Sequence, residues 1–251
     1  MKKKIMALLT GVLMLVCCVI PAMTKEKTTE AVDENYDRMV GEIMRGYEAD
    51  PEGTKSALEE LDTVLVSEPI VTEYRVPNTS KGARINSPLK YTLSVYSTKR
   101  GNSSNYHLQW RLECSVKESD PGPLDYVSIE WDTDRAKYYS SSGDGTYSSV
   151  SGKSAGIVLF NLEDDNMGSG SWALGTVYVT PTKSGNMDFG SKYTHTYIRY
   201  SEAGTATYGF GASANAEKGL GLSYTDTYTV TTTGGAEAWD LWTDNTVTMH
   251  L

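Results

Sequence analysis

The sequence predicts a mainly β protein: an antiparallel β-sandwich, or open barrel, of about ten strands behind a short helical segment. Three observations carry that prediction. From Val64 onward, apolar residues recur at every second position. The same stretch is rich in Thr, Ser, Tyr, Val and Gly, the residues of strands and tight turns. Helix-period patterning is confined to the residues before it.

The chain opens with Lys2, Lys3 and Lys4, an apolar run from Ile5 to Ile20, then Pro21 and small or polar residues to Thr24. That order predicts a secretory signal peptide over 1–24, cleaved near residues 22–24, and an extracellular protein. The run is too short, and too soon followed by charge, for a membrane span. The expected organisation is therefore 1–24 signal peptide, 25–63 helical segment and 64–251 all-β domain. Losing three lysines and no acids leaves 20 basic against 32 acidic residues, a net charge of −12. Such a chain repels nucleic acid and anionic polymers at long range and suits basic partners or divalent cations. Cys17 and Cys18 depart with the signal, so Cys114 alone offers no intramolecular disulfide.

Residues 28–48 predict one amphipathic helix. Val32, Tyr36, Met39, Val40, Ile43, Met44 and Tyr47 form a single stripe. Gly41 and Gly46 each weaken it by about 1 kcal/mol relative to Ala. A second helix starts with Asp50 as N-cap and Pro51 at the first helical position, and Ala57, Leu58 and Leu61 give it an apolar face. The pair reads as a structural cap on the β domain, or as a pro-segment or partner-binding arm.

The clearest strand is 106–116. Tyr106, Leu108, Trp110, Leu112, Cys114 and Val116 share one face, and His107, Gln109, Arg111, Glu113 and Ser115 share the other. That alternation predicts one buried and one solvated face. Leu89, Tyr91, Leu93 and Val95 mark a strand before it, and Val127, Ile129 and Trp131 one after it. Further strands are expected at 70–76, 156–162, 172–180, 191–200, 205–216, 220–231 and 239–250.

The last long hairpin is legible in register. A three-residue loop of Glu217, Lys218 and Gly219 pairs Ala216 with Leu220 and Ala214 with Leu222. Tyr208, Phe210, Ala212, Ala214 and Ala216 then share a face with Leu220, Leu222, Tyr224, Tyr228 and Val230. Thr, Ser, Asn and Gly occupy the other. A two-residue loop would put the apolar sets on opposite faces.

Catalytic motifs fail on context. Gly152-Lys153-Ser154-Ala155-Gly156 matches G-x-S-x-G, but the strand-like Ile157-Val158-Leu159-Phe160 follows where a nucleophile elbow needs a helix. A Walker loop needs Gly where Tyr147 stands. No two of His107, His195 and His250 show metal-ligand spacing. His195 stands out, flanked in the strand pattern by Tyr193 and Tyr197. Acidic clusters occur at Asp132-Thr133-Asp134 and Glu163-Asp164-Asp165-Asn166; Asp164, Asp165 and Asn166 are the candidate calcium ligands, and no other cofactor is indicated. Tyr138, Tyr139 and Tyr147, in or beside the Ser/Gly-rich stretch 140–154, are expected to be exposed. With Tyr193, His195 and Tyr197 they are the candidate ligand-binding residues.

A Lys-rich signal, a short helical stretch and a Tyr/Thr-rich β domain with the segment Tyr193-Thr194-His195-Thr196-Tyr197 together resemble uncharacterised exported β-rich proteins of Gram-positive bacteria. The resemblance implies export and a β domain, and no activity. The expected function is a secreted, non-catalytic binding or surface-interaction protein whose partner is an extracellular protein or glycan. The alternatives are a β-pore-forming toxin that inserts the 205–231 hairpin, and a secreted hydrolase.

Overall fold

The computed structural model describes residues 32–75, 90–115, 117, 125–199, 204–213, 223–232, 236–241 and 245–251. The expected signal peptide, the first residues of the first helix, Leu89, Val116 and the tip of the 205–231 hairpin lie outside the described residues. Helix α1 is Glu34–Met44 and α2 is Pro51–Glu60. The Asp33 side chain accepts from the Tyr36 amide at 3.1 Å and caps α1. Asp50 accepts from the Gly53 amide at 2.9 Å and caps α2, with Pro51 where its missing N–H costs nothing.

Strands β1 (Thr63–Arg75), β2 (Lys90–Arg100) and β3 (Tyr106–Cys114) form a meander. Strands β4 (Asp125–Trp131), β5 (Ala136–Gly143), β6 (Ser148–Ser154), β7 (Ile157–Leu162), β8 (Trp172–Pro181) and β9 (Asn186–Arg199) follow. Then come β10 (Gly204–Ser213), β11 (Ser223–Thr232), β12 (Ala236–Leu241) and β13 (Asn245–His250). One five-stranded sheet has the order β1-β2-β3-β8-β5. The other runs β12-β9-β4-β7-β6, with β13 also on β9. Every pairing is antiparallel, and the two sheets enclose one core, giving the expected sandwich.

That core is built from the alternation. Leu93, Val95, Leu108, Trp110 and Val177 come from the first sheet, and Val127, Ile129, Phe160, Phe189 and Val247 from the second. Trp110 meets Phe160 edge-on with ring centroids 5.5 Å apart. Its indole lies over Gly175, where an added Cβ would fall 2.2 Å from the indole nitrogen. The glycine makes room for the largest side chain of the core.

Two expectations are corrected. The Ser/Gly-rich stretch 140–154, where no strand was expected, contributes to two, β5 and β6. Its serines and glycines satisfy the ladder although they offer little apolar periodicity. The second correction concerns β3, whose polar face is covered. His107 and Gln109 are fully buried and Arg111 is 6% exposed.

The cover is α1 and α2. Tyr36, Val40, Met44 and Leu58 pack with Tyr96 of β2 into a second, smaller core on the outer face of the first sheet. Asp37, beside that stripe, goes down with it. Its Oδ2 accepts from Tyr178 Oη at 2.7 Å and Ser142 Oγ at 2.8 Å, and its Oδ1 stands 4.0 Å from His107 Nδ1. Around it, Thr98 donates to Gln109 Oε1 at 3.0 Å and Gln109 Nε2 donates to Thr176 at 3.3 Å. Arg111 bonds Glu113 at 3.0 Å, and Arg45 of the α1 C-cap reaches the same carboxylate at 3.6 Å.

Burial holds the Asp37 carboxyl above the ordinary carboxylate range; the nearby His107 and the hydroxyl donors pull the other way but do not outweigh it. The folded state therefore keeps this proton more tightly than the unfolded chain does. The resulting penalty is absent below the ordinary carboxylate range, grows as pH rises from there, and is complete above the raised value. Asp37→Asn keeps an acceptor and removes the charge. Urea unfolding across that range should show a smaller fall in stability with rising pH for the variant than for the parent; parallel curves would refute the assignment.

Tyr96 is the complementary case. It is fully buried, its hydroxyl has no partner among the described residues, and burial pushes its phenol well above the ordinary value. Tyr96→Phe should leave stability unchanged or raise it by about 1 kcal/mol in thermal unfolding. A loss of about 2 kcal/mol would mean that the hydroxyl has a partner.

Candidate functional site: a separate ribbon and the polar cluster at its root

Strands β10 and β11 pair with each other and with neither main sheet. Their register runs from Gly204↔Thr232 to Ser213↔Ser223. The three-residue loop expected at Glu217, Lys218 and Gly219 lies outside the described residues, and the described pairs carry the same offset as its predicted pairs. Residues directly opposite share a face. Ala206↔Val230, Tyr208↔Tyr228, Phe210↔Asp226 and Ala212↔Tyr224 fall on one face. Thr205↔Thr231, Thr207↔Thr229, Gly209↔Thr227, Gly211↔Thr225 and Ser213↔Ser223 fall on the other. Gly204↔Thr232 falls on the first face as well; apart from Gly204, Thr232 and Asp226 that face is apolar, and the other is made wholly of Thr, Ser and Gly.

The ribbon is an excursion from a ladder of the sandwich. β9 leads into it and β12 receives the chain afterwards, with Arg199 paired to Ala236 and Thr194 to Leu241. Paired positions sum to 435 in the β9–β12 ladder and to 436 in the β10–β11 ladder. The two ladders are therefore offset by one residue, the offset that one bulge absorbs.

At the root of this excursion β9 turns Tyr193 and His195 inward, and both are fully buried. His195 Nδ1 lies 3.0 Å from Asp125 Oδ2 at the start of β4. The Tyr193 hydroxyl donates to that same oxygen and stands 3.4 Å from the His195 ring nitrogen. Asp164, in a turn of 3-10 helix after β7, accepts from Tyr91 Oη at 3.2 Å and lies 3.9 Å from His195 Nδ1. Tyr91 packs edge-on against Tyr193 at 5.5 Å, and Tyr74 completes the aromatic wall at 6.2 Å. Burial, then the charges of Asp125 and its neighbours, push the Tyr193 phenol well above its ordinary value, so it stays a donor.

Asp125, Asp164 and His195 each present a ligand atom within 4.8 Å of the others. Two carboxylates and an imidazole are donors that suit a divalent metal. The same atoms already bond one another, so a metal would have to displace those bonds.

The candidate residues thus separate. Tyr193 and His195 come together, but inside the sandwich rather than on a ligand-facing surface. The side chains of Tyr197 and Asp165 lie outside what is described. Asp164 faces the interior while Asn166 is exposed. Tyr139 is exposed, at 37%. Tyr138 and Tyr147 are corrected to half-buried positions against the core; Tyr138 stacks 6.3 Å from Trp131, with Lys153 Nζ 4.2 Å above its ring. Tyr138 is turned inward by β5, and Tyr147 packs against the core from the bend between β5 and β6. Ser154 closes the β6–β7 hairpin opposite Ile157, with Gly156 at φ +76°, so the G-x-S-x-G match is a turn. His250 is exposed and 3.2 Å from Asn186 Oδ1.

Asp125 and Tyr91 were not among the candidates. The signal was present: Asp125 stands in the inward series Asp125, Val127, Ile129, Trp131, where a carboxylate demands a buried partner. Asp125→Ala would strand the Tyr193 hydroxyl and the His195 ring together. It should lower unfolding free energy by about 3 kcal/mol in urea. A change within about 0.5 kcal/mol would mean that the cluster carries no structural weight.

No family model and no curated protein matches the chain. Solved structures with some likeness include the sixth cohesin from Acetivibrio cellulolyticus scaffoldin B in complex with a Cel5 dockerin mutant. It is 8% identical, covering 36% of this chain and 76% of that one, with a TM-score of 0.29. A structure described as a pore forming protein is 9% identical over 73% of this chain and 92% of that one, TM-score 0.30. The C-terminal domain of the Streptococcus agalactiae AgI/II polypeptide BspA is 8% identical over 75% and 80%, TM-score 0.29. At these scores none of the three bears on the function of this chain.

Proposed function

We propose that this chain is an exported surface-interaction protein whose partner is a lipid bilayer, entered by the β10–β11 ribbon. The observation that carries this reading is the register of the ribbon. It sorts every large apolar residue of the two arms to one side, with Gly204, Thr232 and Asp226 among them, and only Thr, Ser and Gly to the other, in a hairpin that belongs to neither sheet. A membrane strand needs that division, apolar towards lipid and polar towards a lumen. Each arm has 10 described residues, within the roughly 9–11 that a tilted strand needs to cross.

Among the described residues no helix is long and apolar enough to cross, so strands would have to do so. A single ribbon in lipid would leave both outer edges without hydrogen-bond partners. Insertion therefore requires several copies that close a barrel, at least about four for the smallest barrels of eight strands. Asp226 is the one acid on the lipid-facing side.

Dye release from liposomes tests the reading. The full mature chain should release dye at micromolar concentration. Tyr208→Lys, on the apolar face, should suppress release, because a Lys at the bilayer midplane costs about 2–4 kcal/mol. Thr227→Lys, on the opposite face, should retain it. No release by the parent chain, or equal release by both variants, would overturn the proposal.

A further inference from the structure

We propose that the cleft at the N-terminal end of β9 binds an acidic saccharide, a sugar carrying a carboxylate or sulfate. The cleft has a volume of about 360 Å³ and is walled by the ends of β2 and β8 and the loop before β9. Lys99, Ser104, Tyr106, Thr180, Thr182 and Lys183 line it. Sites from about 300 Å³ upward hold small ligands, and this one has room for one or two sugar rings.

Three features point to the ligand. First, the cleft gathers two cations in a chain whose net charge is −9. Among the described residues, neither Lys99 nor Lys183 forms an ion pair. Lys99 is held with its Nζ 4.6 Å above the Tyr106 ring, so its charge is positioned without being neutralised. The long-range field of the protein repels anions, so an anion that enters is drawn by these two groups at short range.

Second, Ser104, Thr180 and Thr182 place hydroxyls along the wall; Thr180 donates to Asn105 Oδ1 and Thr182 to the Asp134 carbonyl, so these two offer a ligand their acceptor lone pairs. A bare inorganic anion would engage the two ammonium groups and leave these unused; a sugar with an acidic group uses both.

Third, Asn105 lies behind the wall between Ser104 and Tyr106 and is 1% exposed. Its Oδ1 accepts from Thr180 at 2.6 Å, while its amide nitrogen has no partner among the described residues. Asn105 does not itself line the cleft; its bond fixes the Thr180 hydroxyl, which does. The cleft lies at the opposite end of β9 from the ribbon, so the two proposals stand or fall separately.

Isothermal titration of the full mature chain tests it, with digalacturonate and a sulfated chondroitin disaccharide as acidic probes. Galactobiose is the neutral control and sodium sulfate the bare-anion control. At least one acidic disaccharide should bind, more weakly as salt is raised. Lys99→Gln and Lys183→Gln should each weaken it by about tenfold. Lys183 is exposed, so its variant keeps the test valid should Lys99→Gln disturb Tyr106. Galactobiose and sulfate should each bind at least about tenfold more weakly than the acidic probe. The proposal is overturned if neither acidic probe binds at millimolar concentration, or if Lys183→Gln binds like the parent. Equal affinity for galactobiose, or for sulfate as an adventitious anion only, would overturn it too.

Discussion

Strand β3 is buried on both faces, and the rest of the architecture answers that constraint. One face carries Leu108, Trp110 and Leu112 into the sandwich; the other carries His107, Gln109 and Arg111 beneath two helices. Polar groups out of water must be bonded or they cost free energy. The first sheet therefore needs a cover that brings polar partners as well as apolar area. Helix α1 brings both, through Tyr36, Val40 and Met44 on one side of its stripe and Asp37 beside them. Gly41 lets it approach Trp172, where an added Cβ would come within 3.0 Å of the indole. The helical segment is thus tied to the sheet by specific bonds, well beyond a greasy contact.

Much of this was legible in the residues. The period of two marked the strands of the main core, and Asp50-Pro51 marked the start of α2 to the residue. The offset of the 205–231 hairpin followed from keeping both apolar sets on one face, and the described arms carry that offset. What misled was composition. A strand with polar residues on one face reads as half-solvated, because one chain segment cannot show what packs on it. Asp37 was the missing clue: it stands three, four and seven residues before Val40, Gly41 and Met44, on the side of the helix that is buried. β5 and β6 escaped for the opposite reason, since serine and glycine pair in ladders without announcing a face.

The candidate site was half visible. His195 and Tyr193 stood out by their spacing, and Asp164 by its acidic cluster. Their convergence depends on Asp125 and Tyr91, from strands far apart in sequence, and only the sheet order brings them together. The outcome is a packed, fully buried polar knot under the point where the ribbon leaves the second sheet. A cluster of bonded side chains there links β2, β4, β9 and the turn after β7. Under the proposed function, a bonded root and amphipathic arms are complementary requirements of one device.

The position of β9 also decides how that device bears load. β9 is bonded along one edge to β4 and along the other to β13 and then β12. Tension applied along β9 runs parallel to these strands and at right angles to their hydrogen bonds. Many bonds must then shear at once, whereas a strand peeled from a sheet edge surrenders them one at a time. The sandwich is consequently anchored against traction along β9 and yields more easily to a sideways pull on β12, which has β9 on one side alone among the described strands.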